Sequence, residues 1–456
     1  MTTSILDTVR RLYPFAYSVT GEGNDAAVAA FLRELPFTVH EYPSGSVLNG
    51  WTIPHPSRVV AASIRKDGRL IYDGTASPLG VIAQSSPFSG RVGLEELRRH
   101  LFYSEVDPEA IVYHWTILYR PLEKGWGFCV PKRLFMALEP GEYEVEIVTE
   151  VTAGTMKVLD YHLPGKSGRT LLFNAHNCHP FQANDDISGC AVGIHLMQRL
   201  REWEERRFGY RLLIAPELIG TVFWLDGLAP EEAATLAGAV MLKSVGNAGE
   251  LKLQESFTGD SRLDRAAHHL FRHRYGEYVS GPFRTLYGND EVVFEAPPYE
   301  IPSISLTRFP FAAYHTDADR PETLSTESLE DTLEAALGIA RTLERDRCLK
   351  RCFRGLVSLS HPRYDLYRRA IAPGVERRPH GPEEVRWNLL MNGLPRHLDG
   401  KTGLLAVADR YQLPLEAVHE YAMAWVAKGL AAVVEDGEGG LAAVVEGMNS
   451  VWPAGG

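Results

Sequence analysis

Hydrophobic positions change their period three times along this chain. Over residues 1–35 they fall at helical spacing: Ile5, Val9 and Leu12 share one face, and Ala26 to Leu35 repeats the pattern after a Thr-Gly-Glu-Gly break. Two short helices are expected there. From Phe37 to Val151 the runs shorten and alternate, as in VHEYPSGSVLNGWTIP, RVVAASIRKDGRLIYDG and EYEVEIVTEVTAG, and Gly, Pro and Asp-Gly cut them apart. Such punctuation predicts a β-rich domain at 37–151 with one helical stretch, GLEELRRHLF at 93–102. After Gly165 strand-like and helix-like segments take turns. Strands are expected at 170–175, 210–215, 238–243, 251–255 and 303–307, and helices at 188–208, 218–224, 261–274 and 328–344. That grammar predicts an α/β fold: a mixed, mostly parallel sheet with helices on both faces, whose ligands gather at the carboxyl ends of the strands. The α/β domain is then formed from 1–36 and 152–347, with the β domain inserted between them.

A linker rich in Arg, Pro and Tyr follows at 348–381. The last stretch, 381–456, shows three helical patterns, a turn at Gln412–Pro414 and a short apolar run after a Gly. This predicts a winged-helix-like unit. Charge changes what that unit can be used for. From Gly381 onward there are five basic residues (Arg386, Arg396, Lys401, Arg410, Lys428) against ten Asp and Glu. Even nonspecific DNA binding needs phosphate-neutralising charge, so no nucleic acid is expected as a partner and a structural or protein-contact use is favoured.

The whole chain has 456 residues and a formal charge of −11, with 45% hydrophobic and 23% charged residues, the make-up of a globular protein of two or three domains. No apolar run approaches a membrane span and the N-terminus lacks a signal-like core, so a cytoplasmic protein with no membrane partner is expected. Five cysteines without a CxxC pair argue against a disulfide framework or a cysteine zinc knuckle. The aromatic residues Trp51, Trp115, Tyr119, Trp126 and Phe128 of the β domain are expected in its core, the alternative being a wall of a substrate pocket.

Four stretches place acids and histidines at expected strand ends: the loop within LLFNAHNCHPFQANDDISGC (171–190), with His176, His179, Asp185 and Asp186; LLIAPELIGT (212–221), with Glu217; GNDEVVF (288–294); and AAYHTDAD (312–319), with His315. A hydrolytic zinc site needs about three N/O ligands, an open position for water and a base. Each residue also has a plainer explanation. Asp185 or Glu217 can cap the helix that follows, Asp317 and Asp319 can serve turns, and Cys178 and Cys190 can be packed small hydrophobes. Four such loops around one sheet favour the metal reading.

These same residues resemble a known family. His179, Ala-Asn-Asp-Asp-Ile-Ser-Gly (183–189), Pro-Glu-Leu-Ile-Gly (216–220), Gly-Asn-Asp (288–290) and Tyr-His-Thr-Asp-Ala-Asp (314–319) are similar to the metal-site motifs of M28-type zinc aminopeptidases. A closer resemblance is to an aminopeptidase-like subgroup of unknown function found in biosynthetic gene neighbourhoods. That subgroup has a Cys-His-Pro loop (Cys178, His179, Pro180), GWTIP and WGFCV segments in an inserted β domain (50–54 and 126–130), and a C-terminal winged-helix-like unit.

The resemblance implies a zinc exopeptidase-like fold with His179, Asp185 and His315 as metal ligands, His176 being the rival to His179. Glu217 falls where the family carries a Glu-Glu pair, one member a general base and the other a ligand; here the pair is reduced to Pro216-Glu217-Leu218. In MLKSVGN (241–247), Lys243 or Asn247 falls where the family has an anionic ligand, and a lysine there opposes a second divalent cation. A single zinc is therefore expected, with Glu217 as base or fourth ligand and Glu291 as a spare carboxylate. The implied activity is that of a zinc-dependent metallopeptidase, aminopeptidase-like, or a related amidase acting on a small peptide or aminoacyl substrate, with homo-oligomerisation left open. The rival expectation is a catalytically impaired scaffold or binding protein that keeps the fold.

Overall fold

A computed structural model describes residues 4–120, 123–368 and 381–434. Its described residues cluster into two units, one from residues up to 264 together with 278–337, the other from 265–277 and 338 onward.

The first unit is built on an eight-stranded sheet. In chain order its strands are β1 (Thr38–Pro43), β2 (Thr155–Leu163), β3 (Thr170–His176), β4 (Gly209–Ala215), β5 (Leu236–Lys243), β6 (Lys252–Gln254), β7 (Ser280–Gly281) and β8 (Ser303–Thr307). The spatial order is β1-β2-β4-β3-β5-β8-β6-β7. The central strands β4, β3, β5 and β8 run parallel, while β1, β2 and β6 add antiparallel pairings towards the edges. Every residue of β3 and β4 is buried, as expected of central parallel strands covered on both faces, which is why both carry short apolar runs, Leu171–Phe173 and Leu212–Ala215. The helix Ser188–Arg201 packs across β3, β4 and β5 on one face, close enough that Gly193 lies against Leu212. The opposite face carries a core of Leu172, Leu213, Ala239 and Met241 with Trp224, Leu225 and Phe294. Alternation of side chains along a strand puts Leu212 and Leu213 on these two different faces.

Strand 38–43, assigned to the β-rich stretch by its alternation, pairs instead with β2 at the edge of the main sheet. The helix after β3 ends at Arg201, short of 208, because residues beyond it turn through Arg206, whose guanidinium donates to the Leu200, Arg201 and Trp203 carbonyls. Within 37–151 a four-stranded antiparallel sheet, ordered 69–73, 57–66, 142–151, 88–93, encloses its own core around Ile64, Leu97, Phe128, Val145 and Ile147. The expected helix is shorter than its apolar pattern, Leu94–Arg99, and a second one forms at Lys132–Ala137.

The second unit is a C-terminal α/β unit. A three-stranded antiparallel sheet has Cys348–Arg351 at its centre between Asp399–Gly403 and Ala431–Val434. Helices Pro382–His397, Leu404–Tyr411 and Leu415–Ala427 accompany it and bury Leu394, Leu405, Val418 and Trp425. Parts of the expected linker (369–380) and of the expected winged-helix-like unit (435–456) lie outside the described residues. Among the described residues no helix is long and apolar enough to cross a membrane.

Candidate metal centre

The chemistry-bearing residues come together at the carboxyl ends of the parallel strands, where an open α/β sheet collects its ligands. His176 is the last residue of β3 and Lys243 the last of β5, Glu217 follows β4, and His315 follows β8. Asp185 sits in the segment Ala183–Ile187, where it and Asp186 depart from helical backbone angles, ahead of the helix that begins at Ser188.

That segment is held by neighbouring carboxylates. Asp319 accepts the backbone N–H groups of Asn184 (2.8 Å) and Asp185 (3.0 Å). Asp186 accepts those of His176 (3.3 Å) and Ser244 (3.0 Å), tying β3 to the end of β5. Burial pushes the carboxyls of Asp186 and Asp319 well above the ordinary range, since neither has a cation of its own. Neither Asp185 nor Glu217 caps the helix that follows it by a side-chain hydrogen bond. Gly189 is required by the packing. A Cβ there would fall on the Leu242 carbonyl oxygen and within 2.6 Å of Asp186 Oδ1.

Asp185 is the hub. Its Oδ2 lies 3.6 Å from His179 Nε2 and 3.2 Å from His315 Nε2, and its Oδ1 lies 3.2 Å from His176 Nε2. The ammonium of Lys243 contacts both Asp185 Oδ1 and His176 Nε2, and the ring of Tyr287 lies 4.8 Å from it. Burial alone would raise the pKa of Asp185, but Lys243 and the three imidazoles hold it well below the carboxylate range. For Lys243 burial acts downward, and Asp185 outweighs it to push the ammonium well above its ordinary value. The two therefore form a buried ion pair.

The structure brings together His179, Asp185 and His315, whose ligand atoms lie within 4.8 Å of one another, and separately His176, Cys178 and Glu217 with the same spacing. His179 Nδ1 is 3.0 Å from the Pro180 carbonyl, so it carries the ring proton and leaves Nε2 with a lone pair. That Nε2 and Asp185 Oδ2 are buried, face one another and have no hydrogen-bond partner. Buried polar atoms are rarely left so, and an imidazole nitrogen, a carboxylate oxygen and a second imidazole are the donor chemistry of a zinc site with an open position. On these grounds the residues present fit a divalent metal.

Other sequence candidates lie apart. Asp290 accepts from Leu218 N and Thr221 Oγ1, anchoring the turn after β4, and burial raises it to about 6. Glu291 accepts the Asn289 N–H with both oxygens and is pushed by burial to about 7. Neither belongs to a donor group among the described residues. Asn247 bonds the Ser244 and Arg308 carbonyls instead. Asp317 accepts the Ile111 N–H.

This last contact belongs to a feature absent from the sequence reading. Residues 111–113 pair with 315–317, with Tyr113 N donating to the His315 carbonyl at 2.7 Å. Tyr113 then stacks on His179 (4.5 Å) and meets His315 edge-on (5.5 Å). Tyr314 stacks on His315 at 3.9 Å and shares a hydroxyl contact with Tyr287 at 2.9 Å. Only the aromatic density of YHWTILY (113–119) signals this role in the sequence. Within the same run Tyr119 donates to the Glu217 carbonyl at 3.4 Å and packs edge-on with Trp51 and Trp115. These three residues therefore lie beside the Glu217 loop, whereas Phe128 lies in the β-domain core and Trp126 packs against it, stacking between Phe88 and His100.

A mixed sheet with imidazole and carboxylate donors at its strand ends defines the zinc exopeptidase class of fold. Solved structures agree. A zinc aminopeptidase from Bacillus subtilis aligns with a TM-score of 0.57 at 16% identity, over 74% of this chain and 93% of that one. An M28 peptidase precursor from Shewanella amazonensis aligns at 0.55 and 14%, over 74% and 92%. A crystal structure from Clostridium acetobutylicum, named as a peptidase, aligns at 0.77 and 24% over 94% of this chain and 96% of that one, the C-terminal unit included. In sequence, a Clostridium acetobutylicum protein named for polysaccharide biosynthesis and an aminopeptidase-like domain is 28% identical over 346 residues, 75% of this chain and 78% of that protein. The model of the family described as "Domain of unknown function (DUF4910)" matches residues 6–346, and the chain belongs to that family.

Proposed function

We propose that this protein is a zinc-dependent amide hydrolase, exopeptidase-like, acting on a small peptide or aminoacyl amide in a biosynthetic setting. The observation that carries the reading is the pair of partnerless buried atoms, His179 Nε2 and Asp185 Oδ2, with His315 Nε2 beside them. His179, Asp185 and His315 would hold the ion. Bound there, zinc would supply Lewis acidity towards the scissile carbonyl and lower the pKa of the attacking water. Glu217 would accept a proton from that water as the water oxygen bonds to the carbonyl carbon, and would deliver it to the amine nitrogen as the C–N bond breaks. Tyr113 and Tyr314 fix the ring planes of His179 and His315. Pairing of 111–113 with 315–317 supports a β domain that narrows the cleft, which favours a small or terminal substrate over a folded protein. The name of the Clostridium acetobutylicum relative supports a biosynthetic setting. The acidic C-terminal unit serves as a winged-helix-like protein-contact module, and the chain works in the cytoplasm.

Purified protein prepared without chelator is expected to carry about one equivalent of zinc and to hydrolyse aminoacyl amides. Glu217→Gln should keep the metal and lose roughly 10²- to 10⁴-fold in rate. His315→Ala should lose the metal itself. A zinc-loaded protein whose hydrolysis ignores both changes overturns this mechanism. The reduction of the family's Glu-Glu pair to Pro216-Glu217 supports one rival, a scaffold that binds zinc and substrate without turnover; zinc and ligand binding in the absence of hydrolysis would establish it.

A further inference from the structure

Asp185 faces two ways. Its Oδ2 points at His179 and His315 and has no hydrogen-bond partner, while its Oδ1 points at His176 at 3.2 Å, the same separation that Oδ2 keeps from His315. A carboxylate with an imidazole on each side is the arrangement of a bridge between two cations. On the Oδ1 side a cation is already present, and it belongs to the chain. Lys243 reaches from the end of β5, fully buried, and places its ammonium between Asp185 Oδ1 and His176 Nε2, with the Tyr287 ring behind it.

We propose that Lys243 Nζ permanently occupies the second cation position of this centre, so that the protein takes one divalent ion, on the Oδ2 side, and excludes another from the Oδ1 side. The inference rests on the metal reading given above, its single zinc included, and adds to it what fills the second position. Lys243 has no route out. Its stem lies in the core, and its backbone is fixed where Ser244 N donates to Asp186. An ammonium offers three N–H donors and no lone pair, so it satisfies His176 and Asp185 as a metal would while repelling a second ion. It also balances the charge of Asp185 on one side and leaves Oδ2 free on the other. Lys243 is thus a positioning residue that acts through Asp185. The neighbouring group His176–Cys178–Glu217 stays metal-free on this reading, since His176 directs its Nε2 lone pair to the ammonium.

The test uses the full chain, zinc analysis after gel filtration, and anomalous diffraction at the zinc edge. Wild type is expected to hold about one equivalent, with a single peak among His179, Asp185 and His315. Lys243→Asp removes the cation and supplies a third donor, so it should hold about two, with the new peak between His176 and Asp185. A second wild-type peak, whether there or in the His176–Cys178–Glu217 group, overturns the proposal and leaves the zinc hydrolase reading standing. A folded Lys243→Asp protein that stays at one equivalent also overturns it. Wild type with no zinc at all overturns both readings. If Lys243→Asp fails to fold, the number and position of the wild-type peaks decide alone.

Discussion

Glu291 shows what burial does to a single side chain that the proposed chemistry does not use. It is fully buried, both its oxygens accept the Asn289 N–H, and the half-exposed Arg284 stands off at 3.9 Å. Burial raises it from the ordinary 4.5 to about 7. The folded state therefore holds this proton more tightly than the unfolded chain. The associated stability is fully present below the unfolded pKa and is lost as pH rises through the folded one, a span worth roughly 3 kcal/mol. Glu291→Gln keeps an acceptor for Asn289 and removes the titration. Its melting temperature should fall less than that of wild type between about pH 5 and about pH 8. Equal losses in the two proteins would show that another group carries the pH dependence.

At the scale of elements, the approach of the helix Ser188–Arg201 to β5 decides whether Asp185 and Asp186 can sit where they do. Gly189 permits it, since any side chain there meets the Leu242 carbonyl and the Asp186 carboxylate. Gly189→Ala should destabilise by about 1–3 kcal/mol through overpacking and also weaken zinc retention, read from a denaturant midpoint and from metal content. Loss of stability without loss of metal would separate the packing from the site. The Ser-Gly start of this helix was legible in the sequence, as were β3, β4, β5 and β8, because short apolar strands recur between helix-period segments. His179, Asp185, His315 and Glu217 were legible as histidines and acids in the loops after strands. What pattern cannot carry is non-local pairing. Strand 38–43 alternates like its β-rich neighbours and yet joins β2, more than a hundred residues on. Tyr113 reaches His179 and His315 only through the pairing of 111–113 with 315–317. Lys243 was visible as a cation where the resemblance expects an anionic ligand. That its ammonium reaches Asp185 and His176 was a matter of geometry.

For the molecule as a whole, the same geometry sets how far folding depends on metal. In small zinc domains the ion supplies the folding free energy, and removing it unfolds the chain. Here the first unit is held by the two-faced core of its eight-stranded sheet, and Asp185 has Lys243 as a partner whether or not an ion is bound. Chelation should therefore leave a folded protein. On the proposed function a bound metal would add only its binding linkage, about 2.7 kcal/mol when free zinc stands at about 100 times its dissociation constant. Thermal unfolding in chelator should thus give a single lowered but cooperative transition that readded zinc restores. His315→Ala should melt near the chelated temperature and respond weakly to zinc. A chelated wild type lacking a cooperative transition would place the metal among the determinants of the fold, and Lys243 would then not suffice to hold Asp185.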